Sequence, residues 1–92
     1  MNILYAPEAI EDLQCLRGFI APNNPLAAQQ AAAAILKGIA QLRTFPLLGA
    51  EVRRAPKPEM VRDLVIGRYI ARYLVGRNEI HVLRIWHHKE SR

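Results

Sequence analysis

V-R-D-L-V-I-G-R-Y-I-A-R-Y-L-V-G-R-N-E-I-H-V-L-R-I-W-H-H, residues 61–88, is the stretch that decides the fold. Gly67-Arg68 and Gly76-Arg77-Asn78 cut it into three runs, Val61 to Ile66, Tyr69 to Val75 and Glu79 to Trp86, all rich in β-branched and aromatic residues. Short glycine-containing turns between such runs predict consecutive antiparallel hairpins. Side chains alternate between the two faces of a strand, so in the middle run Tyr69, Ala71, Tyr73 and Val75 share one face and Ile70, Arg72 and Leu74 the other. Two tyrosines with alanine and valine suit a face covered by helices, which sends Arg72 to the opposite, open face. In the last run, alternation sets Leu83, Ile85 and His87 against Ile80, Val82, Arg84 and Trp86. Arg84 is expected on the open face with Trp86 beside it, as a stacking or packing surface; a plain core aromatic is the alternative for Trp86.

Working outward, Leu47 to Met60 has no period, contains Gly49, Pro56 and Pro58 and carries Arg53, Arg54 and Lys57, so it reads as a surface connection. Before it lies the clearest helix. Ala28, Ala32, Ile35, Ile39 and Leu42 recur at spacings of four and three, Asn24 is the natural N-cap, and Pro25 stands at the first helical position. The alanines between Ala27 and Ala34 let a neighbouring helix approach closely, and Thr44-Phe45-Pro46 ends the run, since a residue before proline leaves the α region. An earlier helix starts at Pro7, with Glu8, Glu11 and Asp12 near the positive end of its dipole and a stripe of Ala9, Leu13, Leu16 and Ile20. Pro22-Asn23-Asn24-Pro25 separates the two helices, and Asn2 to Tyr5 forms a first strand. The order is β-α-α-β-β-β: one α+β domain, residues 1–92, with a helical hairpin on one face of a small, mostly antiparallel sheet and the other face free.

A chain of 92 residues supports one core of modest stability, and a partner that buries more surface would help it. No stretch reaches the roughly 20 apolar residues of a membrane span, and Met1 to Tyr5 lacks the pattern of a signal peptide. A soluble, cytoplasmic protein is expected. Cys15 alone cannot form an internal disulfide, which fits a reducing compartment, and a small buried or half-buried helix residue is expected there. No metal or cofactor is expected. The net charge of +5 is uneven: residues 1–42 hold two basic against three acidic side chains, and residues 43–92 hold eleven against five. The C-terminal half therefore suits something acidic, a nucleic acid or a protein segment, or else forms a solvated basic surface.

Taken together, these residues resemble the RelE/ParE toxins of type II toxin–antitoxin systems over nearly the whole chain. The resemblance is carried by the opening strand followed by A-P-E-A-I-E-D-L, by N-P-L-A-A before the second helix and by L-R-T-F-P-L-L-G at its exit. It continues in the R-D-L of Arg62 to Leu64, in Tyr69-Ile70 with Tyr73 three residues on, and in L-R-I-W-H from Leu83 to His87. It implies a small basic toxin encoded beside an antitoxin whose acidic, amphipathic, partly disordered tail wraps and silences it in a hetero-oligomer. The scaffold serves both members that poison DNA gyrase and members that cut mRNA on the ribosome.

Metal-free RNA cleavage requires a base for the 2′-hydroxyl, cations for the dianionic phosphorane and an acid for the leaving oxygen. In ribosome-dependent members of the family an arginine directly follows an aromatic residue in the middle strand; here that position is Ile70. Lysines that some members carry on the preceding strand fall at Val61 and Asp63. Both departures point away from that mechanism. A nuclease would have to use Arg62, Arg84 and His87, the last standing where another branch has a catalytic histidine and where gyrase-directed relatives also tend to have one. Lys57-Pro58-Glu59 echoes a segment whose glutamate is a base in that same branch, coincidence in a proline-rich connection being the alternative. Arg62 stands out because R-D-L recurs in such toxins; it cannot pair with Asp63, since adjacent strand residues point to opposite faces, and an ordinary solvent-facing arginine is the competing reading. The residues expected to meet a target or antitoxin are Arg53, Arg54, Lys57, Arg62, Arg72, Arg84, Trp86, His87 and Lys89. The expected function is a ParE-like toxin that binds a macromolecular target, gyrase, without chemistry of its own. The rivals are a RelE-like ribosome-dependent endoribonuclease and a non-toxic, antitoxin-binding repressor module.

Overall fold

A computed structural model describes residues 1–20, 24–57 and 60–89; Pro22-Asn23 of the expected helix break and Pro58-Glu59 of the Lys-Pro-Glu segment lie outside the described residues. The elements follow the expected order: β1 (Asn2–Tyr5), α1 (Pro7–Ile20), α2 (Pro25–Ala40) continued by a 3-10 turn (Gln41–Arg43), β2 (Ala50–Glu51), β3 (Val61–Ile66), β4 (Tyr69–Val75) and β5 (Glu79–His87). Asn24 caps α2 as its sequence demands, its side-chain oxygen accepting from the Ala27 N–H at 3.0 Å with Pro25 next in line. The apolar stripe of α2 runs into the 3-10 turn, so that Ile35, Ile39 and Leu42 are all buried. Among the described residues, no helix is long and apolar enough to cross a membrane.

The five strands lie in the order β1-β5-β4-β3-β2, antiparallel except for β1 beside β5. The first hairpin closes through Gly67-Arg68, with Ile66 opposite Tyr69 and Gly67 at φ +58°, a backbone conformation that glycine adopts without strain. β2 was not expected. Two residues carry no readable period, and Ala50 and Glu51 become a strand only because β3 offers Asp63 and Arg62 as partners.

The helices cover one face of the sheet. Ala9, Ile35, Ile39 and Leu42 pack there on Leu64, Ala71, Tyr73, Ile80, Val82 and Ile85, with Tyr69 and Val75 at the margin, so the expected inner face of β4 is confirmed. Strict alternation fails in β5. Pairing steps from Tyr73 opposite Val82 to Arg72 opposite Arg84, leaving Leu83 as an extra residue. This bulge reverses the phase of the strand, so that Val82 and Ile85, three apart, both enter the core. Cys15 is exposed, against expectation. It lies about 200° around the helix from Leu13, off the apolar stripe.

Candidate functional site

The centre of the uncovered face carries a polar constellation built by cross-strand register. With Ile66 opposite Tyr69, counting back sets Asp63 opposite Arg72. The guanidinium forks onto the carboxylate, Nε to Oδ1 at 2.8 Å and Nη2 to Oδ2 at 3.0 Å. These bonds raise the Arg72 pKa above its ordinary value, over the opposing effect of burial. The guanidinium carbon also lies 5.1 Å from the centre of the Trp86 ring, a cation–π arrangement. Trp86 is buried yet outside the helix-side core, so it sits neither as the plain core aromatic nor as an open stacking platform. Apolar residues flank the pair: Val65, 67% exposed, is opposite Ile70, and Val61 is opposite Leu74.

Arg84 stands opposite Arg72, on the open-face side as expected, but its guanidinium turns away to the edge of β5. Its Nε and Nη2 donate to Oδ2 and Oδ1 of Asp12 on α1, at 2.8 and 3.0 Å, and the hydrogen bonds to that carboxylate raise its pKa. The backbone N–H of Ile85 donates to the same Asp12 Oδ2 at 2.8 Å. The physical reason is the edge of β5. β1 pairs only with Glu79 to Val82, and beyond that point α1 supplies the acceptor that a neighbouring strand would have supplied. Asp12 is thereby buried, only 8% exposed.

Arg62 turns towards the helix side. Its Nη1 donates to the carbonyls of Gly49 at 2.8 Å and Leu47 at 3.3 Å, and Nη2 lies 3.5 Å from Glu51. With its side chain 13% exposed, it is not the solvent-facing arginine that was the competing reading. Tyr73 works beside it: its hydroxyl accepts from the Gly49 N–H at 2.9 Å and donates to the Pro46 carbonyl at 2.8 Å. Burial pushes the Tyr73 pKa up, against the lowering effects of the Gly49 bond and the Arg62 charge. A Cβ at Gly49 would stand 2.8 Å from the Asp63 carbonyl oxygen, so only glycine lets this loop approach the sheet so closely. Two side chains thus pin a loop that exposes Phe45, Leu47 and Leu48.

The remaining candidates are scattered. Arg53, Arg54, Lys57 and Lys89 are exposed, the first three in the connection between β2 and β3 and the last beyond β5. His87 meets the Tyr69 ring edge-on at 5.4 Å and stacks on His88 at 4.7 Å. Its Nδ1 accepts from the Lys89 N–H at 3.2 Å, which leaves the proton of the neutral ring on Nε2. Of the expected set, among the described residues, Arg72 meets Trp86, His87 meets Lys89, and the register sets Arg84 opposite Arg72. Among the described residues no three His, Cys, Asp or Glu side chains gather as a metal site would require. Asp12 and Asp63, which determine what two of the arginines can do, were not among the expected site residues; the register of a two-residue hairpin would have found Asp63.

Comparison with known proteins agrees with this architecture. Residues 3–92 match the family model described as ParE toxin of type II toxin-antitoxin system, parDE. Toxin RelE2 of Caulobacter vibrioides is 31% identical over 86 residues, covering 94% of this chain and 93% of the relative. A solved chain of the chromosomal ParDE TA system from P. aeruginosa shares the fold at a TM-score of 0.78, with 24% identity and 95% of each chain covered. From strand order through family match, the conclusion is the same: this chain belongs to the ParE toxin family of type II toxin–antitoxin systems.

Proposed function

We propose that this toxin arrests growth by binding a macromolecular target, DNA gyrase, rather than by cutting RNA, and that a cognate antitoxin with an acidic, partly disordered tail neutralises it in the cytoplasm. The observation that carries the reading is the fate of the three strand arginines. Arg62 is drawn to the 47–49 backbone and Glu51, Arg72 to Asp63, and Arg84 to Asp12. Phosphorane stabilisation needs cations directed at the place where charge develops, and a guanidinium already forked onto a carboxylate offers its strongest donors elsewhere. What the open face does present is apolar surface around the Asp63–Arg72 pair, with His81 beside Glu79 in the next row, a combination suited to another protein. The exposed Arg53, Arg54 and Lys57 supply the positive field that draws an acidic antitoxin segment.

The test is gyrase-dependent supercoiling with purified toxin, together with counts of gyrase-dependent DNA breaks. Inhibition of supercoiling and accumulation of breaks are expected, both abolished by co-purified antitoxin; a gyrase unaffected in both respects overturns the reading. One observation favours the rival, a ribosome-dependent endoribonuclease: His87 keeps an Nε2–H donor beside exposed Lys89 at the end of β5. That rival requires codon-positioned cuts in translated mRNA that disappear in His87→Ala.

A further inference from the structure

Nothing in the family assignment explains why an aspartate stands opposite an arginine in the middle of the uncovered sheet face. Both Asp63 oxygens are committed to the fork of Arg72, while the Trp86 ring lies along the guanidinium. Among the described residues the neighbouring cross-strand rows offer no cation clear of a carboxylate: one holds Val65, Ile70 and Trp86, and the other holds Val61, Leu74 and His81, the last 3.0 Å from Glu79. Along the central row Arg84 is drawn aside by Asp12. A phosphate approaching this face therefore meets the Asp63 carboxylate as well as its partner, and in these rows, among the described residues, no second free cation to help displace it.

We propose that Asp63 is a specificity determinant: by holding Arg72 it closes the open sheet face to polyanions and reserves it for a protein surface. This rests on the reading above, in which that face meets protein. Removing the carboxylate changes one thing of consequence. Arg72 keeps its orientation against Trp86 and its free fork becomes a charge-assisted donor set of the kind that binds phosphate oxygens. The neutral pair turns into a net positive centre in the middle of an exposed apolar face. Electrostatic binding to nucleic acid follows the number of cations that meet phosphates, so a single freed arginine has a measurable effect at low salt.

Binding of a fluorescein-labelled single-stranded RNA oligonucleotide, followed by fluorescence anisotropy at low and raised salt, tests this in four purified proteins: the wild type, Asp63→Asn, Arg72→Gln and the double variant. The exposed Arg53, Arg54 and Lys57 give all four a common background. Asp63→Asn is expected to bind about fivefold or more tightly than the wild type at low salt and to show a steeper salt dependence, and the double variant to return to the wild-type level. Equal binding by Asp63→Asn and the wild type overturns the proposal, and so does a gain that survives in the double variant, because the gain would then not pass through Arg72. Asp63→Ser, which removes the charge with a smaller side chain, replaces Asp63→Asn if circular dichroism shows that the latter does not fold. Gyrase supercoiling by the wild type, run in parallel, separates the two failures: inactivity there sinks the target reading, whereas an unchanged RNA affinity in Asp63→Asn sinks only the role of Asp63.

Discussion

Arg72 and Arg84 stand opposite each other on β4 and β5, and each ends in a forked grip on an aspartate at 2.8 and 3.0 Å. The two pairs nevertheless have different consequences. Asp63 is nine residues from Arg72, on the adjacent strand, and more than a quarter of its side chain is exposed. Asp12 comes from a helix 72 residues away in sequence, is buried, and also takes the Ile85 N–H. Removing Asp63 leaves Arg72 free to find water. Removing Asp12 strands a backbone donor at the edge of β5 and cuts a tie between α1 and the sheet. The same ion-pair geometry sets surface character in one place and holds two layers together in the other, and burial makes the difference.

The largest effect is expected from Asp12→Ala, which should lower the free energy of unfolding by about 2–4 kcal/mol in urea denaturation, since it leaves a buried N–H without its acceptor. Arg84→Ala should cost less, because Asp12 then keeps its bond to Ile85. If Asp12→Ala costs no more than Asp63→Ala, burial does not separate the pairs. Next comes Tyr73→Phe on the covered side, which removes both Tyr73 bonds to the 46–49 loop while Arg62 keeps its own, and should cost about 1–3 kcal/mol by the same measurement.

A pH series sharpens the contrast further. Burial raises the pKa of both Tyr5 and Tyr73 above the ordinary value of 10.0. The folded chain therefore holds these protons at pH values where the unfolded chain loses them, so stability is full below about pH 10 and falls as pH rises through the folded-state values. Thermal melts between pH 8 and pH 11 should show a declining midpoint at the alkaline end, and a shallower decline in Tyr73→Phe. The smallest effect is expected on the open face. Asp63→Asn should shift stability by less than about 1 kcal/mol, the range of partly exposed pairs, even though it is the substitution proposed to change what the face binds.

Much of the architecture was legible because it depends on local chemistry. Asn24-Pro25 starts a helix, Gly67-Arg68 closes a hairpin, and the alternation in Tyr69 to Val75 assigns its inner face, in each case from residues close in sequence. The Asp63–Arg72 pair was legible in principle, since the two-residue turn sets the register. Arg62 was singled out by the sequence, but not its direction, because its acceptors are carbonyls of a loop with no period. Composition places Cys15 indoors, whereas the apolar stripe of α1 leaves it exposed.

The order of elements, the α+β class and the likeness to the RelE/ParE toxins follow from spacing and from ordered local motifs. The use of Arg84, in contrast, was settled by tertiary packing. That depended on a bulge at Leu83, invisible in a pattern of alternating apolar residues, and on a helix arriving beside β5 where β1 ends. Both are non-local events. The phase of β5 and the partner of Arg84 are chosen by elements that pack against that strand from far away in the chain, unlike the partner of Arg72, which a two-residue turn brings opposite.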